Sequence, residues 1–281
     1  MILSGKAALA GVIGYPVKHS KSPKLHGYWL ERYGIDGTYV PLEVHPDDFD
    51  KVVIGLKLSG FKGVNVTVPH KENALKIADE VSQIAQKIGS SNTLIFKEDG
   101  LIYADNTDGF GFWENLLEKT PSLLTNIPKT AVVLGAGGAA RAILVTLKEK
   151  GVEEIRLLNR TKSRAQYLVD DLKLEGLSVI DWEKREEALA GCDLLINTTT
   201  LGMHNQPLLE IDLFDLPKTA IVNDIVYVPL MTNLLEKAHT HGCHIVDGLG
   251  MLIHQARPGF KAWFGHEAVV DQDLRAFILK D

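Results

Sequence analysis

The chain is short of several things, and each shortage closes off a class of protein. Only two cysteines, Cys192 and Cys243, occur in 281 residues, which gives neither a disulfide framework nor metal-ligand spacing. A reducing compartment and a cytoplasmic location fit that usage. No apolar run reaches the roughly 18 residues of a membrane span. Lysine and arginine never gather into a basic run, and the net charge of −6 with a pI near 5.9 argues against nucleic acid as the main partner. Low-complexity segments and repeats of fixed period are missing as well. Among ten histidines, only His239, His241 and His244 lie close together. No HExxH pattern or carboxylate frame accompanies them, so they read as solvated surface residues and no metal is expected. Lys6 followed by Ala7 to Val17 has a faint look of a signal peptide. With one positive charge, several glycines and no clear cleavage site before Lys18, it is expected instead to be a first strand.

What is present is enough for two cores. Apolar residues make up 45% of the 281 positions, which suits two soluble domains. The stretch from Ala131 to Arg164 organises the chain. A buried-strand run, Ala131 to Leu134, enters Gly135-Ala136-Gly137-Gly138-Ala139; a helix-forming segment runs on to Lys150, Gly151 closes it, and a second strand spans Glu154 to Leu158. Strand, glycine turn, helix and strand in that order form a pyrophosphate-binding unit. Gly135 permits the turn, Gly137 lets backbone approach the phosphates, Ala140 is small enough for helix and strand to pack closely, and the helix N-terminus offers free N–H donors. The competing explanation is a glycine-rich structural turn.

The end of the second strand bears on which dinucleotide. An NAD site places Asp or Glu there for the ribose 2′-OH, whereas this chain has Asn159, Arg160, Thr161 and, one helical turn on, Arg164. A 2′-phosphate calls for cations and donors, and Arg160 offers a planar fork flanked by two neutral donors, so NADP(H) is the expected cofactor. A solvated turn with Thr161 or Ser163 capping the next helix is the alternative.

In the N-terminal third, Ala8 to Ile13 reads as a strand, Gly14-Tyr15-Pro16 ends it, and Ser22-Pro23 opens a helix to Tyr33. Ser20 and Ser22 thus sit at a strand's C-terminal end and a helix N-terminus, where small anions bind in open α/β sheets, although Ser22 can equally serve as a cap. Strands are expected at Gly37 to Val44 and Phe61 to Val68, with a helix from Pro46 to Leu58 between them. The second of these strands brings Asn65, Thr67 and Lys71 into alternating register. Helical segments Lys71 to Asp79 and Val81 to Ile88 precede a hairpin, Leu94 to Lys97 and Leu101 to Ala104. The hairpin delivers Asn106-Thr107-Asp108 to a helix expected from Phe112 to Lys119. Taken singly, Lys71 is a solvated lysine and Thr107 or Asp108 a helix cap. Taken together, a lysine, an aspartate and two asparagines stand at loop ends of one small sheet. Beyond Arg164 the expected elements are a helix from Ser163 to Leu174, a strand at Leu177 to Ile180, a helix from Glu183 to Leu189, and strands at Leu194 to Thr198, Ala220 to Val226 and His244 to Val246. Helices Met251 to Trp263 and Asp271 to Leu279 follow.

Gly14-x-Pro16-x-x-His19-Ser20-x-Ser22-Pro23, Asn65-Val66-Thr67-Val68-Pro69-His70-Lys71, Asn92-Thr93 and Asn106-Thr107-Asp108-Gly109 resemble shikimate dehydrogenase. So do Asn197-Thr198-Thr199-x-x-Gly202-Met203, Asp224-x-x-Tyr227-x-Pro229-x-x-Thr232 and Gly248-x-x-Met251-Leu252-x-x-Gln255. The motifs are collinear over nearly the whole chain.

The resemblance implies an α/β chain of two domains. One, residues 1–107 plus 248–281, is a substrate domain with a mostly parallel sheet; the other, 108–247, is a Rossmann-type doubly wound NADP domain, with the active site in the cleft between them. It implies NADPH-dependent reduction of 3-dehydroshikimate to shikimate, a step on the route to aromatic amino acids. Lys71 and Asp108 become the catalytic pair. Ser20 and Ser22, helped by Tyr227, bind the substrate carboxylate, and Thr67, Asn92, Asp108 and Gln255 its ring hydroxyls. Thr198, Thr199, Gly248 and Met251 join the glycine loop at the cofactor. Departures fall at Ser90-Ser91 before Asn92, at Asp105, at Thr198 and at Gly250, and none removes a group that does chemistry. The partner is a small molecule; quinate is the rival substrate, a metabolite-sensing module the rival class, and a homodimer stays open.

Overall fold

The computed structural model describes residues 2–280, which divide into two compact units, residues 2–107 with 253–280 and residues 108–252. The first unit opens on β1 (Ala8–Gly14), α1 (Ser22–Arg32), β2 (Gly37–Glu43), α2 (Phe49–Leu58), β3 (Phe61–Val66) and α3 (Lys71–Lys76). It continues with β4 (Glu80–Val81), α4 (Gln83–Ile88), β5 (Thr93–Phe96) and β6 (Ile102–Asp105). Its six strands lie in the order β2-β1-β3-β5-β6-β4. Strand β1 is parallel to both β2 and β3, and β5 runs antiparallel to β3 and β6. Ile13, Val64, Val66, Leu94 and Ala104 cover one face with Phe49 and Val53 of α2.

The second unit contains α5 (Asp108–Lys119), β7 (Thr130–Leu134), α6 (Gly138–Glu149), β8 (Glu154–Leu158), α7 (Lys162–Leu172), β9 (Leu177–Ile180), β10 (Leu194–Asn197), β11 (Ile221–Asp224), α8 (Asn233–His241) and β12 (His244–Val246). Its sheet is parallel in the order β12-β11-β10-β7-β8-β9, the doubly wound arrangement with its switch point between β7 and β10. Helices cover both faces, so β7 is apolar throughout: Ala131 and Val133 pack into one cluster, Val132 and Leu134 into the other. Helix α9 (Leu249–Phe264) and helix α10 (Gln272–Leu279) complete the chain. In the first unit, Trp263 of α9 donates from Nε1 to Leu94 O at 3.2 Å. There it occupies the space beside Gly63, where a Cβ would come within 2.2 Å of that nitrogen. Trp29 Nε1 donates to Val269 O at 3.1 Å, and Arg32 pairs with Asp271 at the start of α10.

Four local readings need correction. Glu80 and Val81, expected at the junction of two helical segments, pair with β6 instead, because Asp79 takes the Ile102 N–H at 2.8 Å through its carboxylate and donates its own N–H back to Ile102 O at 2.9 Å. The expected helix from Glu183 to Leu189 is two 3-10 turns, Trp182–Lys184 and Glu187–Leu189, with the Arg185 guanidinium holding Trp182 O and Glu210 O between them. Helix α5 begins four residues before Phe112, at Asp108. Helix α8 was not expected at all, although Thr232 caps it through Leu235 N and Gly242 ends it in the left-handed region.

Candidate active site

In the first unit, the residues singled out from the sequence lie along connected hydrogen bonds. Ser22 is the first residue of α1 and makes no capping bond; Ser20 Oγ accepts the Ser22 N–H at 3.2 Å. The capping role considered for Ser22 therefore falls to Ser20. Tyr39 of β2 donates from Oη to Asn65 Oδ1 of β3 at 2.7 Å. Asn65 Nδ2 donates to Asn92 O and to Thr93 Oγ1, both at 3.1 Å. Asn92, 5% exposed, accepts at Oδ1 from Thr93 Oγ1 and from Thr107 N, each at 2.9 Å. Thr107 Oγ1 donates to Gln255 O at 2.8 Å. With both Oδ1 lone pairs taken, the Asn92 amide has one orientation.

Thr67 continues the Asn65 side of β3 and packs its methyl where a Cβ on Gly14 would lie, 2.6 Å away. That contact excludes any side chain at 14. Lys71 opens α3, and its carbonyl accepts the Ser91 N–H at 2.9 Å, which ties the lysine's backbone to the segment carrying Asn92. The preceding His70 is buried, stacked on Phe49 and bonded through Nε2 to Val44 O at 2.9 Å. Burial holds its pKa below the usual histidine value. The departures at Ser90, Ser91 and Asp105 brace the same loop: Ser91 Oγ bonds to Asp105 O at 2.8 Å, Asn106 Nδ2 donates to Ser90 O at 2.9 Å, and Asp105 Oδ1 takes the Asn106 N–H at 2.8 Å.

In the second unit, Gly135 ends β7 with φ +107, and a Cβ there would lie 2.6 Å from Thr198 Oγ1, which itself donates to Leu134 O at 2.8 Å. Glycine at 135 answers to both the turn and this close approach. Gly137 and Gly138 are different. Added Cβ atoms would meet nothing within 4 Å, and Gly137 is extended, with φ −99 and ψ −172, so no contact within the protein demands glycine at either. Open space over these two glycines at a helix N-terminus is what a bound pyrophosphate requires. Ala140 is fully buried against the sheet.

At the end of β8, Asn159 Nδ2 bonds to Thr161 O at 2.8 Å. Thr161 stands at the N-cap of α7 without a capping bond. Arg160 and Arg164 are exposed, and neither has an ion-pair partner among the described residues, whereas Lys162 pairs with Asp181 at 2.6 Å. Two unengaged guanidinium groups flanking a strand end suit a phosphate dianion. Asn197 braces the loop after β10 by accepting from Thr199 N at 3.0 Å and Thr199 Oγ1 at 2.7 Å, and by donating to Asp224 Oδ1 at 3.0 Å. Asp224 also takes the Thr232 hydroxyl and the Val226 N–H; burial raises its pKa. Tyr227 follows on the same loop, its phenol pKa likewise raised by burial. Gly248 passes so close to Ile225 that a Cβ would lie 2.3 Å from its carbonyl oxygen, and Met251 is buried in the cluster that includes Ile225. Asp108 is the first residue of α5. Gly109 lets α6 approach: a Cβ there would overlap Thr146 Oγ1 at 1.9 Å.

Tyr39 and His26 are the residues that the sequence did not reveal. His26 is fully buried with both ring nitrogens unpartnered. It stacks on Tyr39 and sits among Trp29, Phe260 and Trp263. An aromatic on an edge strand and a histidine on an apolar helix face carry no signal beyond core packing.

Two family profiles match the chain: "Shikimate dehydrogenase substrate binding domain" over residues 12–94 and "Shikimate / quinate 5-dehydrogenase" over residues 115–215. A protein of Paramagnetospirillum magneticum named shikimate dehydrogenase (NADP(+)) is 53% identical over 277 residues, covering 99% of this chain and all of its own length. Among solved structures, a quinate dehydrogenase from Corynebacterium glutamicum in complex with NAD superposes with TM-score 0.89 at 30% identity, covering 97% of this chain and 99% of its own. A shikimate 5-dehydrogenase from Thermus thermophilus in complex with NADP(H) and shikimate superposes with TM-score 0.81 at 33% identity, covering 96% of this chain and 97% of its own.

Proposed function

The chain belongs to the shikimate dehydrogenase family, and from that premise we propose that it catalyses the reversible, NADPH-dependent reduction of 3-dehydroshikimate to shikimate. The observation that carries this reading is the pairing, in one chain, of a hydroxyl-and-amide network suited to a small polyhydroxylated carboxylate with a glycine turn that leaves its helix N-terminus open. The cofactor fits the residues present: open space over Gly137 and Gly138 for the pyrophosphate, Arg160 and Arg164 with Asn159 and Thr161 for the 2′-phosphate. Ala136 and Ala139 continue the glycine loop, and Thr198 and Thr199 shape the strand end beside it. Gly248 and Met251 contribute by fixing the end of β11 and the start of α9.

When bound, NADPH supplies a hydride to the ketone carbon. Negative charge then grows on the carbonyl oxygen, and Lys71 donates a proton to it. Asp108 orients the Lys71 ammonium and a neighbouring substrate hydroxyl. In the oxidative direction Lys71 accepts the proton. Ser20 and Ser22, with Tyr227, hold the carboxylate; Thr67, Asn92 and Gln255 hold ring hydroxyls. Both cysteines are buried and unpaired, in keeping with work in the reducing cytoplasm.

The test follows NADPH absorbance with shikimate or quinate as substrate and NADP or NAD as acceptor. Shikimate with NADP should be the fastest combination. Quinate with NAD as the fastest would transfer the chain to the second substrate, and no reduction of either nucleotide with shikimate would overturn the proposal.

A further inference from the structure

Thr93 follows Asn92 in the chain, is 2% exposed, and has no part in the reaction as set out above. We propose that Thr93 is a positioning residue for substrate binding: its hydroxyl, itself oriented by the Asn65 amide, aims the Asn92 side chain so that the N–H end, not the carbonyl end, meets a ring oxygen of the substrate. The inference rests on the shikimate reading above.

The backbone of Asn92 is held from both sides: its N–H donates to Asp105 O at 3.1 Å, and its carbonyl takes the Val66 N–H at 2.8 Å. Neither bond sets the last side-chain torsion, a broad two-fold rotation in asparagine that exchanges donor for acceptor when it flips. Two contacts settle it, from the Thr107 N–H and from Thr93 Oγ1, each 2.9 Å from Asn92 Oδ1. The first is a donor only. The second is a hydroxyl, which by itself can donate or accept.

Asn65 removes that choice. It stands directly opposite Thr93 in the antiparallel pairing of β3 with β5, where facing side chains share one side of the sheet. Its Nδ2 donates to Asn92 O and to Thr93 Oγ1, both at 3.1 Å, and its Oδ1 accepts from Tyr39 Oη at 2.7 Å. Because Asn92 O is a carbonyl and only accepts, the Asn65 amide cannot be turned over, and Thr93 Oγ1 receives a hydrogen from it. The hydrogen of Thr93 itself then goes to Asn92 Oδ1. Tyr39, Asn65, Thr93 and Asn92 thus form a relay in which every hydrogen has one direction, and its last member turns Nδ2 away from Thr93 and Thr107. Valine at 93 would keep the shape but strand one Asn65 hydrogen and release one of the two holds on the Asn92 amide.

The experiment compares wild type, Thr93→Val, Thr93→Ser, Asn92→Ala and the Thr93→Val/Asn92→Ala double variant in shikimate oxidation with NADP. Thr93→Val should raise the KM for shikimate about tenfold, the order expected for one hydrogen bond, leave the KM for NADP unchanged, and lower kcat by less than about threefold. Thr93→Ser, which keeps the hydroxyl, should stay within about twofold of wild type in all three. The double variant should be no worse than Asn92→Ala alone, because the hydroxyl acts only through that amide. Neutron diffraction from deuterium-exchanged wild-type crystals grown with shikimate needs no variant and decides the matter if Thr93→Val does not fold: the Thr93 deuterium should point at Asn92 Oδ1, with Nδ2 of Asn92 against a shikimate oxygen. An unchanged KM for shikimate in Thr93→Val, a Thr93→Ser variant as impaired as Thr93→Val, penalties that multiply in the double variant, or a Thr93 deuterium directed elsewhere would overturn the proposal while leaving the enzyme reading intact. Wild-type protein that neither binds nor oxidises shikimate would remove both.

Discussion

The imidazole of His26 lies parallel to the ring of Tyr39, 3.9 Å away, with neither of its nitrogens hydrogen-bonded. Burial alone drives its pKa down to about 3 from an ordinary 6.5. The folded protein therefore keeps the ring neutral where the unfolded chain protonates it. Above pH 6.5 the group has no effect on stability; as pH falls from 6.5 toward 3 the unfolded state gains a proton that the folded state refuses, at about 1.4 kcal/mol per pH unit. His26→Phe should flatten the decline in melting temperature between pH 6.5 and 4, with the lowered pKa of His70 leaving part of the slope. Parallel declines in variant and wild type would contradict this.

Lys71→Ala should lower kcat by about 10² to 10⁴, the range of general acid–base assistance, with a smaller change in the KM for shikimate. Stopped-flow measurement of NADPH formation at saturating substrate checks it. Near-wild-type turnover would remove Lys71 from the chemistry.

Arg160→Ala should raise the KM for NADPH far more than that for NADH, since only the former carries the 2′-phosphate that an exposed guanidinium at the end of β8 would meet. Fluorescence titration with both nucleotides gives the comparison. Equal effects would show that Arg160 does not discriminate between them.

Gly137→Ala separates fold from ligand. A methyl at this extended position meets nothing within 4 Å, so the melting temperature should hold or rise slightly, as for a glycine replaced at a compatible site. The KM for NADP should nonetheless climb about tenfold, through loss of close backbone contact with the pyrophosphate. A destabilised variant with an unchanged KM would reverse the assignment.

The parts legible in the sequence are those where one residue type answers one local demand. Gly135 with positive φ, and Gly137 and Gly138 at the start of α6, follow a buried strand in immediate succession, so strand, turn and helix could all be read from one stretch. The hydroxyl and amide residues were found because several polar types collect at strand ends. Tyr39 and His26 were not, because their importance comes from partners on other elements, and a buried aromatic has the same appearance in sequence whether or not its polar tip is in use. Ser22 at a helix start could not be told from a cap until Ser20 proved to hold its N–H. Helix α8 escaped because its polar face, with His239 and His241, masked a buried stripe of Leu234, Leu235 and Ala238.

The composition of the first unit has a consequence for the order in which the protein is made. A ribosome releases Gly63 long before Trp263, the ring that fills the gap beside it, and the whole of Asp108–Leu252 emerges in the interval. The later-encoded unit thus possesses every residue of its core while the earlier one still lacks an aromatic wall. During synthesis the nascent polypeptide completes its interior first and its beginning last.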